Sequence, residues 1–366
     1  MEAIVISPRE KVSRIVERPE PEIRSADEIK ISVIEVGICA TDREEVLGGK
    51  ALAPKRVNEL VIGHEMFGVV VDTGDGVRHI KPGDYGVFTV RRGCSRCAPC
   101  SMERPDMCRT GEYSERGIRG MDGFQTGFVV DSEKYFIPVP DALSGTGVLT
   151  EPLSVAEKAI NECLRLQSIR LPEYSPDWLA GKRCLVAGLG PIGLLAALVL
   201  TLRGGAVCGL DIVEPGSPKT EWLSTIGGKY IDGKICRPEN LEEYVGEFDL
   251  VFEAAGIPSL GFELIDALGI NGIYVLTGIP GDEHAIHIPG SELMRKIILR
   301  NQIIFGSVNA SREHFQMAVQ DLGEADRRWN GHAARLITGR YHFQDYLEPL
   351  MNQDAEKIKS VIAWTQ

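Results

Sequence analysis

The sequence has no long apolar segment and no excess of basic residues. Its longest apolar run, Ile192 to Leu200, is far shorter than the roughly 20 residues that a membrane span needs. The amino terminus lacks the basic and apolar regions of a signal peptide, so a cytoplasmic protein is expected. With 40 Lys and Arg residues against 52 Asp and Glu residues, the formal charge is -12. This charge argues against nucleic acid or an anionic membrane as a partner.

A composition typical of disorder is also missing. The 40 glycines and 20 prolines are spread along the 366 residues, so they indicate turns rather than a linker or a fibre. We find no internal repeat. A chain of this length is long enough for about two domains, each with its own core.

The nine cysteines do not suit a secreted disulfide framework, because their number is odd and four of them lie in one short segment. These four, which form a C-x2-C-x2-C-x7-C cluster, are Cys94, Cys97, Cys100 and Cys108. Four thiolates can close a tetrahedron around zinc and leave no open position, so a structural ion is predicted. An iron–sulfur cluster is the alternative, although its spacings differ. The remaining cysteines outside any motif are interpreted as small buried side chains: Cys163, Cys184, Cys208 and Cys236.

A second group of potential ligands is centred on His64 and Glu65, which stand side by side in the segment 63–68 between apolar strands. We expect this segment to be a glycine-bounded turn. Cys39 follows another apolar strand upstream, and Glu151 lies downstream. Thiolate, imidazole and carboxylate together form a mixed set with room for an exchangeable ligand, as catalytic zinc requires. A lone His-Glu pair is more often a surface feature, so the hypothesis depends on Cys39 and Glu151.

The pattern along the chain changes near residue 151. Residues 1 to about 140 have the short strands and turns of a β-rich domain, and Ile29, Ile31 and Val33 alternate with polar positions. Residues 153–166 then have apolar side chains at helical spacing, and two prolines follow. A domain boundary is expected there.

A dinucleotide-binding motif follows the boundary. The apolar strand 184–187 leads into a G-x-G-x-x-G turn and then a helix, and the turn consists of Gly188, Leu189, Gly190, Pro191, Ile192 and Gly193. Glycines let the backbone approach a pyrophosphate, whose charge the helix amino terminus favours. A second strand ends at Asp211, where an acid would hold the adenosine ribose hydroxyls. Because Ile212 and not arginine comes next, NAD is favoured over NADP. The alternative is that Asp211 only caps a turn, with Lys219 or a later residue holding a phosphate.

Three more apolar strands, at 249–253, 272–276 and 302–305, predict a parallel, doubly wound sheet. Dinucleotides lie at the carboxyl ends of such strands. The expected cofactor contacts are therefore also Ile212, Thr277, Gly278, Ile279, Ser307, Val308 and Asn309. The last apolar residues, 361–364, are expected to return as a strand to the first domain. The histidines without ligand spacing are interpreted as ordinary surface or core residues: His79, His284, His287, His332 and His342.

Taken in this order, the Gly-His-Glu segment, the C-x-T-D motif at 39–42, the cysteine cluster and the nucleotide fold resemble a medium-chain zinc-dependent dehydrogenase almost end to end. Several shorter segments resemble the glucose (aldose) 1-dehydrogenases best known from archaea. They are 37–44, 91–94, 110–112, 121–124 and 151–153, together with Val308-Asn309 and His314-Phe315. The resemblance implies an α/β protein with a GroES-like catalytic domain (1–155 and 310–366, with a zinc lobe at 91–110). It also implies a Rossmann domain at 156–309.

The resemblance further implies roles for single residues. Cys39, His64, Glu65 and Glu151 would surround the catalytic zinc, some of them trading places with water. Thr41, Glu115, Glu151 and Asn309 would lie near the sugar. Thr41 is placed two residues after a ligand, where its hydroxyl can accept and pass on a proton. The alternative for Thr41 is an ordinary turn threonine. A solvated surface position is the alternative for Glu115, and Asn309 is expected to hold either the nicotinamide amide or the sugar.

The function expected from this resemblance is oxidation of the anomeric hydroxyl of an aldose such as glucose, with hydride transfer to NAD or NADP, in a homodimer or homotetramer. Val90 and Leu299 stand where some members have an amide and a histidine, and Asp211 departs from the arginines of NADP-dependent relatives. One alternative is therefore a dehydrogenase of other polyols or secondary alcohols. A more remote one is a zinc-stabilised dinucleotide-binding protein without turnover.

Overall fold

The structure is a computed structural model, which describes residues 1–47, 51–237, 240–281, 285–352, 354 and 356–365. Contacts between Cα atoms divide the chain into two compact units. Unit 1 is Met1–Ser154, Asn309–Gly323 and Ala333–Gln366, and unit 2 is Val155–Val308 and Glu324–His332. Within the described residues, no helix combines the length and the apolar character that crossing a membrane requires.

The strands in the described residues, in chain order, are β1 (Glu2–Ser7), β2 (Val12–Glu17), β3 (Glu28–Gly37), β4 (Leu60–Val61), β5 (Glu65–Thr73), β6 (Tyr85–Phe88), β7 (Arg91–Arg92), β8 (Ser114–Arg116), β9 (Gly120–Met121), β10 (Phe128–Ser132), β11 (Phe136–Pro138), β12 (Arg183–Ala187), β13 (Ala206–Asp211), β14 (Lys229–Asp232), β15 (Phe248–Glu253), β16 (Leu268–Leu276), β17 (Ile303–Gly306), β18 (Ile337–His342) and β19 (Lys359–Ala363).

In the same described residues, the α-helices are α1 (Ala40–Val46), α2 (Ala98–Ser101), α3 (Thr150–Arg170), α4 (Pro191–Leu202), α5 (Pro218–Thr225), α6 (Leu241–Val245), α7 (Pro258–Glu263), α8 (Gly290–Leu299), α9 (Arg312–Trp329) and α10 (Leu347–Met351). Short 3₁₀ turns connect several of these elements.

Unit 1 is built on a seven-stranded sheet with the order β11-β6-β5-β3-β19-β18, in which β10 also pairs with β3. Burial alternates along β3 from Glu28 to Val33, as the sequence predicted, because one face of the sheet packs on the core and the other does not. The predicted carboxyl-terminal strand is confirmed, since β19 pairs antiparallel with β3. Smaller sheets have the orders β2-β1-β4 and β7-β8-β9.

Unit 2 contains a six-stranded sheet with the order β14-β13-β12-β15-β16-β17, in which all the pairings are parallel. This order reverses direction at β12, as in doubly wound dinucleotide folds. Residues 184–187 of β12 and 193–200 of α4 are buried, which explains their continuous apolar character. The predicted fold class is confirmed.

Some element boundaries differ from the expectation. Glu65 is not in a turn but begins β5, where it pairs with Gly37 of β3, and the turn is made by Gly63 with a φ of 90°. Helix α3 begins at Thr150 rather than at residue 153. The segment 324–332, expected in the catalytic domain, falls in unit 2. There the His332 ring stacks on Trp222 with 5.3 Å between the ring centroids.

Candidate active site

Three of the predicted zinc ligands lie together in unit 1. One ligand atom from each of Cys39, His64 and Glu65 lies within 4.8 Å of the other two. Sγ of Cys39 is 3.1 Å from Nε2 of His64. All three side chains come from positions next to strand ends, since β3 stops at Gly37 and β5 starts at Glu65. Their mixed thiolate, imidazole and carboxylate chemistry suits zinc with an exchangeable position.

The start of helix α1 fixes Cys39. Its Sγ accepts a hydrogen bond of 3.2 Å from the backbone N–H of Thr41, and its own N–H donates to Oδ2 of Asp42 at 2.9 Å. The other carboxylate oxygen of Asp42 is 3.4 Å from Nδ1 of His64. The carboxylate therefore lies behind the imidazole and leaves Nε2 facing the thiol. Carboxylates in this position orient metal-binding histidines.

Burial and neighbouring charges perturb this group. Burial raises the pKa of the Cys39 thiol, although His64 partly opposes the effect. For His64, burial lowers the pKa, but Cys39 and Asp42 outweigh it and the pKa lies well above its ordinary value. Metal binding needs a thiolate and a neutral imidazole, so uptake of an ion by these residues would release protons.

Glu151 is near these residues but outside the set that shares 4.8 Å distances. It lies in the first turn of α3 and is buried. Burial raises its pKa to about 7, with His64 acting in the opposite direction and Glu65 in the same one. Thr41 is half-buried in α1, beside Cys39.

The structure also shows a site residue that the sequence did not reveal. Lys359, in β19, is buried with its ammonium group against the carboxylate of Glu65. It lies 294 positions from Glu65 by residue number (359 − 65), so sequence spacing gave no signal for it. An isolated lysine at the start of a carboxyl-terminal strand is ordinarily solvated.

The predicted sugar contacts Glu115 and Asn309 meet in unit 1. Glu115 lies in strand β8 and is buried, so the surface alternative is excluded. Its Oε1 accepts hydrogen bonds from Arg91 at 2.9 Å and 3.0 Å and from Nδ2 of Asn309 at 2.7 Å. Within the described residues, these contacts leave Oε2 without a hydrogen-bond partner.

Glu45 is a second buried carboxyl group that the sequence analysis missed. It is 2 % exposed, and neither of its oxygens has a hydrogen-bond partner in the part of the chain that the structure describes. Burial raises its pKa to about 9, and the negative charges of Asp42 and Glu115 add to the effect. The carboxyl group is therefore neutral at physiological pH. Glu45 follows Asp42 by three residues, about one turn of α1, so the two side chains lie on the same face of the helix. This spacing was the signal available in the sequence.

The four cysteines of the lobe form the second metal-binding arrangement. Their Sγ atoms lie within 4.8 Å of one another, and all four side chains are half-buried. A hydrogen bond from Thr110 lowers the pKa of Cys94 to about 5, whereas burial raises that of Cys100 to about 12. A Cβ atom on Gly93 would lie 2.5 Å from Sγ of Cys100, so glycine is needed there. Four converging thiols suit a structural zinc ion.

The glycine-rich turn in unit 2 uses its three glycines differently. Gly188 has a φ of 91°, and a Cβ atom there would lie 2.8 Å from the backbone nitrogen of Ala255. A Cβ atom on Gly193 would collide with the carbonyl oxygen of Gly188. Gly190 has open space within 4 Å of its Cβ position and lies at the N-cap of α4. The outer glycines are thus required by packing, and the middle one leaves room for a ligand.

The remaining predicted cofactor residues follow strands of the same sheet. Thr277 and Gly278 come after β16, and Ser307 and Val308 after β17. Glu253, which the sequence analysis did not select, ends β15 and is buried. Its Oε1 accepts hydrogen bonds from the N–H groups of Ala255 at 2.8 Å and Gly256 at 2.6 Å, and its Oε2 from that of Gly278 at 3.2 Å. The signal available in the sequence for Glu253 was an acidic residue at the end of an apolar strand. His284 lies outside the described residues.

Two parts of this chain together define the class of medium-chain zinc-dependent dehydrogenases. One is a doubly wound sheet with a glycine-rich turn. The other is a β-rich unit that carries a mixed metal-ligand set and a four-cysteine lobe. Residues 144–364 match the family model described as glucose dehydrogenase C-terminus. Residues 25–141 match the alcohol dehydrogenase GroES-like domain. The chain belongs to the glucose dehydrogenase family, and the resemblance seen in the sequence is confirmed.

Individual relatives cover nearly the whole chain. The glucose 1-dehydrogenase of Methanocella arvoryzae is 35% identical over 366 residues, which are 99% of each chain. That of Thermoproteus tenax is 36% identical over 95% of each chain. Among solved structures, Haloferax mediterranei glucose dehydrogenase in complex with NADP, Zn and gluconolactone aligns over 100% of both chains, with a TM-score of 0.89 and 29% identity.

Proposed function

We propose that this chain is a zinc-dependent dehydrogenase that oxidises the anomeric hydroxyl of an aldose such as glucose to the lactone. The observation that carries the proposal is the convergence of Cys39, His64 and Glu65 within 4.8 Å. The names of the relatives support glucose as the sugar, and the gluconolactone in the Haloferax complex supports the lactone as the product.

At the metal site, Cys39, His64, Glu65 and Glu151 would hold the catalytic zinc. A zinc ion there would supply the Lewis acidity that lowers the pKa of the anomeric hydroxyl. Thr41 would accept the hydroxyl proton at its side-chain oxygen and pass it on. Oε2 of Glu115 would accept a hydrogen bond from another sugar hydroxyl, because Arg91 and Asn309 bind only Oε1.

For the cofactor, the turn 188–193 and the amino terminus of α4 would hold the pyrophosphate, and Asp211 the adenosine ribose. NAD or NADP would supply the hydride acceptor. We favour NAD because Asp211 would repel a 2′-phosphate, although the Haloferax relative is a complex with NADP. The further contacts that we propose for the cofactor are Ile212, Thr277, Gly278, Ile279, Ser307, Val308 and Asn309.

Two further features belong to the proposal. We expect two zinc ions per chain, with the second held by the four-cysteine lobe. We also expect a homodimer or homotetramer, which is supported by the exposed apolar side chains Met294, Ile298 and Leu299 on α8 in unit 2. Sedimentation analysis tests the subunit number. The cytoplasmic location stays a prediction.

The decisive test is a set of steady-state rates for glucose, galactose and xylose with NAD and with NADP, on protein of measured zinc content. We expect turnover of at least one aldose and two zinc ions per chain. Cys39→Ser should lower the rate and the zinc content, while the matched Cys163→Ser should change neither, because Cys163 lies outside both metal sets. Turnover of polyols alone, or a single zinc without turnover, would contradict the proposal.

A further inference from the structure

A buried cation stands beside the mixed ligand set. Lys359 begins β19, and its ammonium group forms an ion pair with Oε2 of Glu65. Both side chains are almost completely buried, at 1% and 2% exposure. The same nitrogen donates a hydrogen bond of 2.9 Å to the carbonyl oxygen of Ile38. One of the three converging ligand side chains is therefore already paired with a positive charge.

The strand register makes room for this pair. Gly37 of β3 lies opposite Glu65 on β5 and opposite Val361 on β19. A Cβ atom on Gly37 would collide with Oε2 of Glu65 and lie 3.0 Å from Cε of Lys359. The missing side chain at Gly37 thus provides the space that the carboxylate and the lysine stem occupy.

This lysine opposes tight metal binding. Moving two charges out of water is costly, and their mutual attraction offsets this cost only with good geometry. A fixed ammonium group also repels a divalent cation at short range. What the lysine can contribute is control over Glu65, because a carboxylate that is paired with an ammonium group is a weaker ligand for a metal ion. Catalytic zinc needs an open position, and four permanent protein donors would close it.

We propose that Lys359 is a positioning residue that competes with the metal for Glu65 and thereby keeps one coordination position open for the substrate hydroxyl. Glu65 then binds the ion only when that position is free. The proposal rests on the proposed zinc-dependent function. It assigns to Lys359 a role in setting ligand number rather than in touching the substrate.

The test compares Lys359→Met, which keeps the length of the side chain and removes its charge, with Lys359→Arg, which keeps the charge. Zinc affinity of the full-length protein is measured by competition with a chromophoric chelator, and the four-cysteine lobe serves as an internal reference. We expect the methionine variant to bind zinc at the mixed set about tenfold more tightly, because the charge that competes for Glu65 is gone, and to lose about tenfold in kcat. About tenfold is the size of effect that outer-shell changes typically have on affinity or activity. The arginine variant should resemble the wild type.

A second substitution separates control of Glu65 from simple repulsion. In a Glu65→Gln background the affinity gain of Lys359→Met should disappear, because the amide does not become a permanent ligand. With cobalt in place of zinc, gluconolactone should shift the visible absorption of the wild type but not that of Lys359→Met. A gain that persists in the Glu65→Gln background, or no gain at all, would overturn the proposal.

Other outcomes are also decisive. If Lys359→Met does not fold, Lys359→Gln keeps a hydrogen-bond donor for Ile38 without the charge and should show the same direction of change. If the wild type oxidises no aldose but the Glu65-dependent affinity gain is found, the positioning role stands and the proposed function fails. If the wild type binds no metal at Cys39 and His64, both are wrong.

Discussion

The backbone N–H of Leu189 donates a hydrogen bond of 2.6 Å to Oδ2 of Asp211, so the acid at the end of β13 is tied to the glycine-rich turn. Its other oxygen accepts a hydrogen bond of 2.6 Å from the N–H of Ile212. Asp211 is thus a fixed negative group beside the proposed pyrophosphate position. Such a group favours two ribose hydroxyls and disfavours a phosphate.

Replacing Asp211 with alanine should change the choice of cofactor. We expect the affinity for NADH to fall at least about tenfold, since each hydrogen bond to a charged group contributes about 1.5–3 kcal/mol. The affinity for NADPH should fall less or rise, because the repulsion of its 2′-phosphate is removed. Fluorescence titration with both dinucleotides measures the ratio.

The matched control is Asp232→Asn. Asp232 pairs with Asp211 in the parallel register of β13 and β14, but its Oδ1 accepts a hydrogen bond from the N–H of Lys234. Within the described residues, its side chain makes no hydrogen bond to the glycine-rich turn. Its substitution should leave the ratio of the two affinities unchanged. If Asp211→Ala weakens both dinucleotides equally, Asp211 only caps the turn, and the proposed preference for NAD loses its basis.

The three glycines of the turn should respond differently to alanine. Gly190→Ala should leave the thermal midpoint nearly unchanged, because its Cβ position is open, but weaken dinucleotide binding at least about tenfold by filling the space next to the helix amino terminus. Gly193→Ala should destabilise the protein, because its Cβ would collide with the carbonyl oxygen of Gly188. Differential scanning fluorimetry with and without NADH separates the two effects.

Gly290→Ala provides the control in the same unit. Gly290 also has an open Cβ position, at the start of α8 and outside the glycine-rich turn. It should change neither stability nor binding. Normal NADH affinity in Gly190→Ala would show that the pyrophosphate does not use this space.

The elements that the sequence predicted correctly are those with strong local signals. The strand, glycine turn and helix at 184–202 follow from continuous apolar residues and glycines that no side chain could replace. The four-cysteine lobe follows from spacing within one loop. Such features are encoded over a few consecutive residues, so a single sequence is sufficient to place them.

The features that the sequence did not reveal depend on tertiary pairing. Lys359 reaches Glu65 only because β19 and β5 both flank β3, a register that no local pattern encodes. Glu45 has the polarity of a surface residue, yet α1 buries it. A turn was expected at 63–68, but β5 begins at Glu65. Pairing of Glu65 with Gly37 outweighs the local preference of the glycines for a turn.

The buried ion pair of Glu115 and Arg91 should contribute measurably to stability. Glu115→Gln keeps the volume but leaves the guanidinium group without a negative partner in a buried position. Loss of one partner of a buried pair costs about 3–5 kcal/mol, so a lower denaturation midpoint is expected. The KM for glucose should also rise, because the amide offers the sugar a weaker acceptor. Urea denaturation and steady-state kinetics measure the two effects.

Glu112→Gln is the matched control for this prediction. Glu112 pairs with Arg96, but both side chains are more than half exposed. Water screens such pairs, which contribute about 0–1 kcal/mol. The control should therefore change the midpoint little and leave the KM for glucose unaltered. Equal effects of the two substitutions would mean that the Arg91 pair does not organise the site.

Glu45 should make the stability of unit 1 depend on pH. Its pKa is raised from 4.5 to about 9 in the folded chain, mainly by burial. The folded chain therefore keeps a proton that the unfolded chain releases. The stabilising contribution is fully present below about pH 4.5 and is lost as the pH rises through about 9, with a slope of up to about 1.4 kcal/mol per pH unit. Glu45→Gln should remove this slope. The free energy of unfolding of the variant should therefore increase relative to that of the wild type as the pH rises.

Urea denaturation of both proteins at equal zinc content, between about pH 5 and about pH 8, measures the difference. The neighbouring Glu44 is exposed, so Glu44→Gln should follow the wild type at every pH. Parallel pH profiles for Glu45→Gln and the wild type would show that Glu45 is ionised in the folded chain. In that case a counter-charge must reach it, since an isolated buried carboxylate is too costly to remain charged.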